Sequence, residues 1–293
     1  MKKSVLLFSL CFLCVLTSVA SDTISITSPD KNLVCRIFLT GPAGGSGNLY
    51  YELNYKDKAV IKKSALGIHL KSPALQLNTF DLVEKNISTT DESWTPVWGE
   101  VKQIRNNYQQ LFLRLKTKDE ILVNMVFKLF NDGVGFRYEF PQQAKLKHFI
   151  IAEETTQFAV TGDHKTFWIP GDYDTNEYAY YTSKLSEIDA TGGKFSQEIH
   201  AKTYFNANGV QTPLMMKTGE NLYINIHEAA LVNYPAMNLV IDKSSNILNA
   251  HLVPDAVGNK AYLQTPSKTP WRTVIVSDKA TDILASKMIL NLN

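Results

Sequence analysis

The segment QLFLRLKTKDEILVNMVFKLFNDGVGFRYEF, residues 110–140, gives the clearest indication of the fold of this chain. Apolar leucines occupy every second position from Leu111 to Leu115, which is the period of a strand with one buried face. Two more apolar runs follow, and the turn sequences Lys118-Asp119 and Asn131-Asp132-Gly133 separate the three. Asn, Asp and Gly tolerate the positive φ angles that tight hairpins require. The stretch therefore predicts a meander of three antiparallel strands.

Similar runs recur along the rest of the chain, whereas helical periodicity is scarce. They predict an all-β fold with two large stacked antiparallel sheets in one domain. The one clear helix start is Ser277-Asp278, ahead of a short helix over 279–285, and the ending over 289–293 has the pattern of a strand. Further strands are predicted at 25–26, 33–39, 50–55, 59–61, 67–70, 167–169, 212–217, 222–228, 238–241, 261–263 and 271–276.

The first 20 residues have the build of a secretory signal peptide. Two lysines precede an apolar run from Val5 to Leu16, and the small residues Ser18-Val19-Ala20 follow it. The run is shorter than the roughly 20 residues of a membrane-spanning helix. We therefore expect a bacterial-type signal at 1–20, a mature domain at 21–293, and a secreted or periplasmic product without a membrane anchor.

Charge and cysteine content narrow the class of protein further. The formal net charge is +2, with 30 Lys and Arg against 28 Asp and Glu, so nothing indicates nucleic acid or an anionic membrane as partner. Cys11 and Cys14 lie in the signal segment, which leaves Cys35 in an apolar strand of the mature chain. A domain of this size buries a sufficient core without disulfides.

The most informative polar stretch follows the predicted strand that ends at Trp168-Ile169, because Pro170-Gly171 breaks that strand. Oxygen ligands suit Ca²⁺, and aromatic rings beside carboxylates suit sugars, so the loop is a candidate for either. We expect its tyrosines at an exposed rim; the alternative is a solvated acidic loop. The residues concerned are Asp172, Tyr173, Asp174, Asn176, Glu177, Tyr178, Tyr180 and Tyr181.

The loop begins like the calcium-binding loop of an EF-hand, with Asp172, Asp174 and Asn176 at alternate positions. However, Glu177 stands where the turn glycine belongs, and Ser183 stands where the bidentate glutamate belongs. An EF-hand is therefore excluded.

His227-Glu228, at the end of a predicted strand, is a second candidate. The two residues could form an acid/base pair, as in sugar epimerases with a sandwich fold. Adjacent residues on a strand point to opposite faces, however, which favours one side chain inside and one at the rim. The other histidines lack the spacing of a zinc site.

Five segments together resemble the amino-terminal domain of glycoside hydrolase family 97, and the similarity runs in order over the whole mature chain. The segments are TSPDKNL (27–33), WTPVWGE (94–100), LFNDGVGFRYEF (129–140), FWIPGDYDTNEY (167–178) and QTPSKTPWRT (264–273). The resemblance implies a β-super-sandwich of the galactose mutarotase type, followed in the family by a catalytic (β/α)₈ barrel that acts on α-glucosides or α-galactosides.

The resemblance also implies a calcium ion in the active site, with one carboxylate ligand from this domain, which corresponds to Glu177. On this interpretation Tyr173, Asp174 and Tyr178 bind carbohydrate, and the ion is shared with the barrel. The expected partners are an α-linked oligosaccharide and a family 97 barrel, in cis or as a separate chain.

The barrel carboxylates that glycoside hydrolysis requires are absent from this sequence, so we predict no catalytic residue and no activity of the chain alone. Two alternatives remain open from the sequence: a free-standing carbohydrate-binding module, and a sandwich-fold sugar epimerase.

Overall fold

A computed structural model describes residues 19–42, 46–191 and 202–293. Most of the predicted signal segment, residues 1–18, lies outside the described residues, and the first strand begins at Val19. No helix in the described part of the chain is both long and apolar enough to cross a membrane.

The described residues form 22 strands, one short 3-10 helix and two short α-helices, so the all-β prediction is confirmed. In chain order the strands are β1 (Val19–Thr27), β2 (Leu33–Pro42), β3 (Gly47–Tyr55), β4 (Lys58–Ala65), β5 (Ile68–Ser72), β6 (Leu75–Leu77), β7 (Thr79–Trp94), β8 (Ile104–Lys116), β9 (Leu122–Leu129), β10 (Gly133–Phe140), β11 (His148–Glu154), β12 (Gln157–Val160), β13 (Lys165–Trp168), β14 (Tyr181–Lys184), β15 (Gly209–Gln211), β16 (Leu214–Lys217), β17 (Tyr223–Ala229), β18 (Met237–Asp242), β19 (Ile247–Leu252), β20 (Ala261–Gln264), β21 (Ser267–Lys268) and β22 (Trp271–Ser277). The 3-10 helix spans Leu185–Glu187, and the α-helices are α1 (Ala280–Ala285) and α2 (Met288–Leu292).

The strands pair antiparallel into two large sheets and one small one. The two large sheets are joined where the first residues of β7 pair with β3, which gives a continuous set of 18 strands. The first sheet runs β1-β2-β3-β4-β12-β19-β18-β15. The second sheet runs β7-β8-β9-β10-β22-β17-β16-β13-β14, with β21 also paired to β10. The third sheet runs β20-β11-β5-β6.

The two large sheets face each other across one hydrophobic core. The predicted meander is β8, β9 and β10, and the leucines at 111, 113 and 115 are fully buried. Tyr51 of the first sheet and Phe136 of the second meet with their ring centroids 4.9 Å apart, and Phe158 of the first sheet lies 6.3 Å from Phe136. The predicted stacking of two large sheets is therefore confirmed.

The chain end differs from its sequence pattern. The short helix predicted over 279–285 is confirmed as α1, but the prediction of a strand-like ending over 289–293 is wrong. That segment lies in α2, where Met288 and Leu292 stand one turn apart and are both buried. Met288 and Leu292 pack with Trp271 and Ile275 on the outer face of the second sheet. This tertiary packing stabilises a helix where the local sequence pattern favours a strand.

Strand β7 was missed by the sequence pattern. It pairs with β8 from Asp81 to Trp94, and the two strands form a long ribbon. Most of its side chains are exposed, so its sequence shows no alternation of apolar and polar residues.

Candidate functional site

A cleft of about 840 Å³ opens where several strands of the two large sheets end. Its wall includes the loop residues 172–177, the segment 211–213 from the last residue of β15 up to β16, and His227 and Glu228 at the end of β17. The structure thus brings both candidates from the sequence, the acidic loop and the His-Glu pair, to one cleft.

Pro170 and Gly171 turn the chain out of β13 and into the cleft wall. The Gly171 N–H donates to the Gly209 carbonyl at 2.9 Å. A Cβ at Gly171 would lie 2.6 Å from Phe205 Cε1 and 2.9 Å from the Gly209 carbonyl carbon, so glycine alone fits without displacing them. Gln211 fixes the loop from the other side, because its Nε2 donates to the carbonyls of Pro170 at 3.0 Å and Thr175 at 2.7 Å.

Asp172 organises the loop from within and is only 4% exposed. Its Oδ2 accepts hydrogen bonds from the Tyr178 hydroxyl at 2.7 Å and the Thr203 N–H at 2.8 Å. Its Oδ1 accepts from the N–H groups of Asp174 at 2.8 Å and Thr175 at 3.2 Å. Burial opposes ionisation of Asp172, but these hydrogen bonds outweigh it and hold the pKa of the carboxyl below its ordinary value. Because both oxygens are engaged, Asp172 holds the loop together.

Tyr178 lies inside the loop. It is 6% exposed and packs against Ile169 and Tyr204, with its hydroxyl on Asp172. The expectation that the loop tyrosines lie at an exposed rim is therefore wrong for Tyr178, because its hydroxyl is needed by a buried carboxylate. The expectation holds for Tyr180, which is 62% exposed. The carbohydrate-binding role of Tyr178 stays a prediction. Because its side chain is buried, Tyr178 would fill that role by holding Asp172 in place rather than by contacting the sugar.

Tyr173 forms part of the cleft wall and is held from two sides. Its hydroxyl shares a hydrogen bond of 2.7 Å with His251 Nε2. Its ring stacks on Phe205 with centroids 4.8 Å apart and planes 3° from parallel. One face of the Tyr173 ring is thus occupied, and the ring is rigidly placed beside the cleft.

Asp174 and Glu177 are the exposed carboxylates of the cleft wall. Asp174 accepts a short hydrogen bond from the Thr203 hydroxyl. The Glu177 N–H donates to Thr175 Oγ1 at 3.2 Å, whereas its carboxylate contacts no donor within the described chain. Among the described residues no group of three or more His, Cys, Asp or Glu is placed to hold a metal ion. Glu177 therefore presents an exposed carboxylate to the cleft, and its predicted role as a calcium ligand stays a prediction.

The two residues of the His227-Glu228 pair point to opposite faces of β17, as alternation predicts. Ile224 and Ile226, in phase with Glu228, face the main core, and Ala229, in phase with His227, faces the cluster under α2. Both residues still contribute to the cleft wall because β17 ends there.

Their environments shift the pKa values of the two side chains in opposite directions. Burial raises the pKa of Glu228 although the Arg272 guanidinium lies against it, and burial lowers the pKa of His227. His227 is thus neutral at pH 7, and within the described residues its buried Nδ1 has no hydrogen-bond partner.

Arg272, which sequence analysis missed, lies behind the cleft wall in a buried ion-pair network. Its Nε and Nη2 donate to the two oxygens of Glu154 at 2.9 and 2.7 Å, and its Nη1 donates to Glu228 at 2.5 Å. Glu228 also accepts a hydrogen bond of 3.1 Å from the Met237 N–H. The network fixes Glu228 as a structural group. The only sequence signal for it was charged residues placed within apolar strands.

Comparison with known families gives a match to the family described as Glycosyl-hydrolase 97 N-terminal over residues 26–293. A curated relative, the retaining alpha-galactosidase of Bacteroides thetaiotaomicron, is 25% identical over 318 aligned residues, which cover 98% of this chain and 43% of the relative. The chain thus spans less than half the length of that relative.

Solved structures give the same result. A glycoside hydrolase family 97 enzyme from Pseudoalteromonas sp. strain K8, in complex with acarbose, superposes with a TM-score of 0.79 at 32% identity, over 92% of this chain and 38% of that enzyme. A beta-arabinopyranosidase superposes with a TM-score of 0.69 at 17% identity, over 87% of this chain and 40% of that chain, and it shares the fold.

Proposed function

This chain belongs to the family of glycosyl-hydrolase 97 N-terminal domains, and from that premise we propose that it forms one wall of the sugar site of a calcium-dependent α-glycosidase. The observation that carries the proposal is the free, exposed carboxylate of Glu177 on the wall of a cleft of about 840 Å³. The ordered loop around Asp172 supports it, because a rigid loop keeps a ligand in place without help from the ion.

The residues present fit a calcium ion shared with a second domain. Ca²⁺ takes six to eight oxygen ligands. Glu177 offers one carboxylate, the neighbouring exposed Asp174 already accepts a hydrogen bond from Thr203, and both oxygens of Asp172 are engaged. The bound ion would supply positive charge beside the sugar site. We propose that Glu177 is its direct ligand in this chain, and that the chain alone binds calcium weakly.

The rest of the proposed enzyme is a family 97 catalytic barrel, in cis or as a separate chain. The matched relatives are more than twice as long as the part that this chain covers, at 43% and 38% of their lengths. A barrel would bring the catalytic carboxyl groups that flank a scissile glycosidic bond. We propose that the substrate is an α-linked oligosaccharide, since the relatives are a retaining alpha-galactosidase and an enzyme crystallised with acarbose. We further propose that the chain is inactive alone and is exported by its signal segment.

Within the cleft, Tyr173 and Asp174 are the residues that we propose to contact the sugar. The Tyr173 ring is fixed by Phe205 and His251, so its position is set before any ligand binds. Asp174 is exposed beside it and accepts hydrogen bonds from hydroxyl groups, as its contact with Thr203 demonstrates. An epimerase function has less support, because both oxygens of Glu228 are already engaged, one by Arg272 and the other by the Met237 N–H.

A calcium titration tests the proposal. The chain is joined to a family 97 catalytic barrel, and hydrolysis of an aryl α-galactoside and an aryl α-glucoside is followed against calcium concentration. Glu177→Gln keeps the size of the side chain but removes a charge from the ion, so the calcium concentration for half-maximal activity should rise at least about tenfold. The matched control is Glu220→Gln, which removes an exposed carboxylate that pairs with Lys58 at 3.4 Å.

The control protein should behave as the unchanged one. Identical titration curves for Glu177→Gln and the unchanged protein would show that Glu177 is an ordinary loop residue. Saccharide binding by the isolated chain at the cleft of the acidic loop, at full strength and with no change on addition of the barrel, would favour a free-standing binding module.

A further inference from the structure

A second cavity, of about 420 Å³, lies on the second sheet and has a wall that is separate from the cleft described above. Its floor is a row of cross-strand neighbours, because Asn124 of β9 pairs with Glu139 of β10, and Glu139 pairs with Lys268 of β21. Cross-strand partners stand on the same face of a sheet. Arg137 lies two residues before Glu139 in β10, so its side chain is on that face as well. Ser267 completes the polar lining.

Several polar groups of this cavity lack partners within the described chain. Asn124 is only 7% exposed, yet its Oδ1 has no hydrogen-bond donor, and the buried Ser267 hydroxyl has no partner either. Arg137 donates through both Nε, at 2.8 Å, and Nη2, at 2.5 Å, to Glu139 Oε1. This arrangement leaves Glu139 Oε2 and the Lys268 ammonium without a described partner. A buried amide oxygen without a donor costs free energy, which a ligand placed against it would recover.

The chemistry of these groups selects the class of ligand. An inorganic anion is repelled by Glu139, whereas a metal cation is repelled by Arg137 and Lys268. A hydroxyl group both donates and accepts hydrogen bonds. Vicinal hydroxyls of a sugar ring can therefore donate to Asn124 Oδ1 and Glu139 Oε2. They can also accept hydrogen bonds from Lys268 and Ser267. The volume lies within the roughly 300–1,000 Å³ of small-molecule sites.

We propose that this cavity is a second saccharide-binding site, which takes one sugar unit of an α-linked chain by hydrogen bonds that Lys268 and Ser267 donate and that Asn124 Oδ1 and Glu139 accept. The choice of a sugar within the class of neutral polyhydroxyl ligands rests on the proposed function. The site lies outside the cleft of the acidic loop and requires neither calcium nor a catalytic barrel. It would hold a distal part of a polymeric substrate, or keep the enzyme on it.

The test uses the mature chain alone and follows backbone amide NMR shifts during titration with methyl α-D-galactopyranoside and methyl α-D-glucopyranoside. We expect saturable shifts on β9, β10 and β21, with dissociation constants in the millimolar range. Lys268→Ala should weaken binding about tenfold, since it removes an exposed charged donor. Ser267→Ala should also weaken binding while leaving the unfolding midpoint unchanged or raised, because it removes a buried unpaired hydroxyl.

The matched controls separate the two sites. Lys279→Ala removes an exposed lysine elsewhere, and Asp174→Ala alters the cleft of the acidic loop; neither should change the shifts on β9, β10 and β21. The proposal is overturned if no saturable shift occurs, if Asp174→Ala abolishes it, or if glycine or inorganic phosphate saturates the site and the glycosides do not. None of these outcomes bears on the calcium titration, so the proposed function stands or falls separately.

Discussion

Arg272 and Glu154 form a two-point ion pair in which neither side chain has any exposure to solvent. The pair joins β22 of the second sheet to β11 of the third sheet across 118 positions of sequence. Glu228 approaches the same guanidinium at 2.5 Å, so one cation faces two carboxylates behind the cleft wall. The pair therefore fixes how the small sheet sits against the large one.

Arg272→Met should lower the free energy of unfolding by about 3–5 kcal/mol, because it leaves two buried carboxylates without their cation. Urea denaturation followed by circular dichroism measures the change. The control is Arg114→Met, whose exposed pair with Glu84 has side-chain exposures of 40% and 48% and should contribute no more than about 1 kcal/mol. Equal losses in the two variants would contradict a structural role for the buried network.

Asp172→Asn should destabilise the protein by about 2 kcal/mol at pH 7, because an amide cannot accept all the hydrogen bonds that the carboxylate receives. The folded-state pKa of Asp172 lies below the ordinary value of about 3.9. The contribution of ionised Asp172 to the free energy of unfolding is therefore complete above the unfolded-state pKa. It is lost as the pH falls through the folded-state pKa. The stability difference between the two proteins should shrink on acidification below about pH 4. A difference that stays constant down to pH 2 would show that the charge is irrelevant.

Gly171→Ala should destabilise the cleft loop by about 1–3 kcal/mol, since its new Cβ meets Phe205 and the Gly209 backbone. Thermal unfolding and exchange of the Gly171 amide hydrogen report the effect. The control is Gly219→Ala, where the new Cβ has open space and the gain is expected at about 0.4–1 kcal/mol from reduced freedom of the unfolded chain. A neutral Gly171→Ala would mean that the loop adjusts without cost.

The Cys35 thiol should be unreactive in the folded protein. The residue is fully buried, and burial raises the pKa of the thiol well above its ordinary range, so thiolate is scarce at pH 8. Ellman's reagent should label the mature chain only after unfolding in guanidinium chloride. Rapid labelling of the native protein would show that β2 opens frequently.

The sequence predicts the parts of this fold whose chemistry is local. The meander predicted over residues 110–140 follows from apolar alternation and from the turn sequences between its strands, although Asn131, Asp132 and Gly133 do not adopt the positive φ expected of them. Strand β7 could not be predicted this way, because both its faces meet solvent. The helix α2 depends on a groove that distant strands create, in which the side chain of Leu292 lies over Gly135.

In the candidate site, too, some features could be predicted from the sequence and others could not. The break at Pro170-Gly171 and the acidic residues beyond it are visible in the sequence, and the loop does line the cleft. The burial of Tyr178 and the network of Arg272 depend on partners far apart in sequence, which periodicity does not reveal.

The exposed ribbon of β7 and β8 has a further consequence for solubility. Beyond its first residues, the described pairing of β7 is with β8 alone, so its outer edge presents free N–H and C=O groups to solvent. Such an edge is a template for joining another strand, and charged side chains discourage it. Glu84, Lys85, Asp91 and Glu92 lie along this edge. Removing those charges would leave a long strand edge unprotected, and copies of the protein would then tend to aggregate edge to edge.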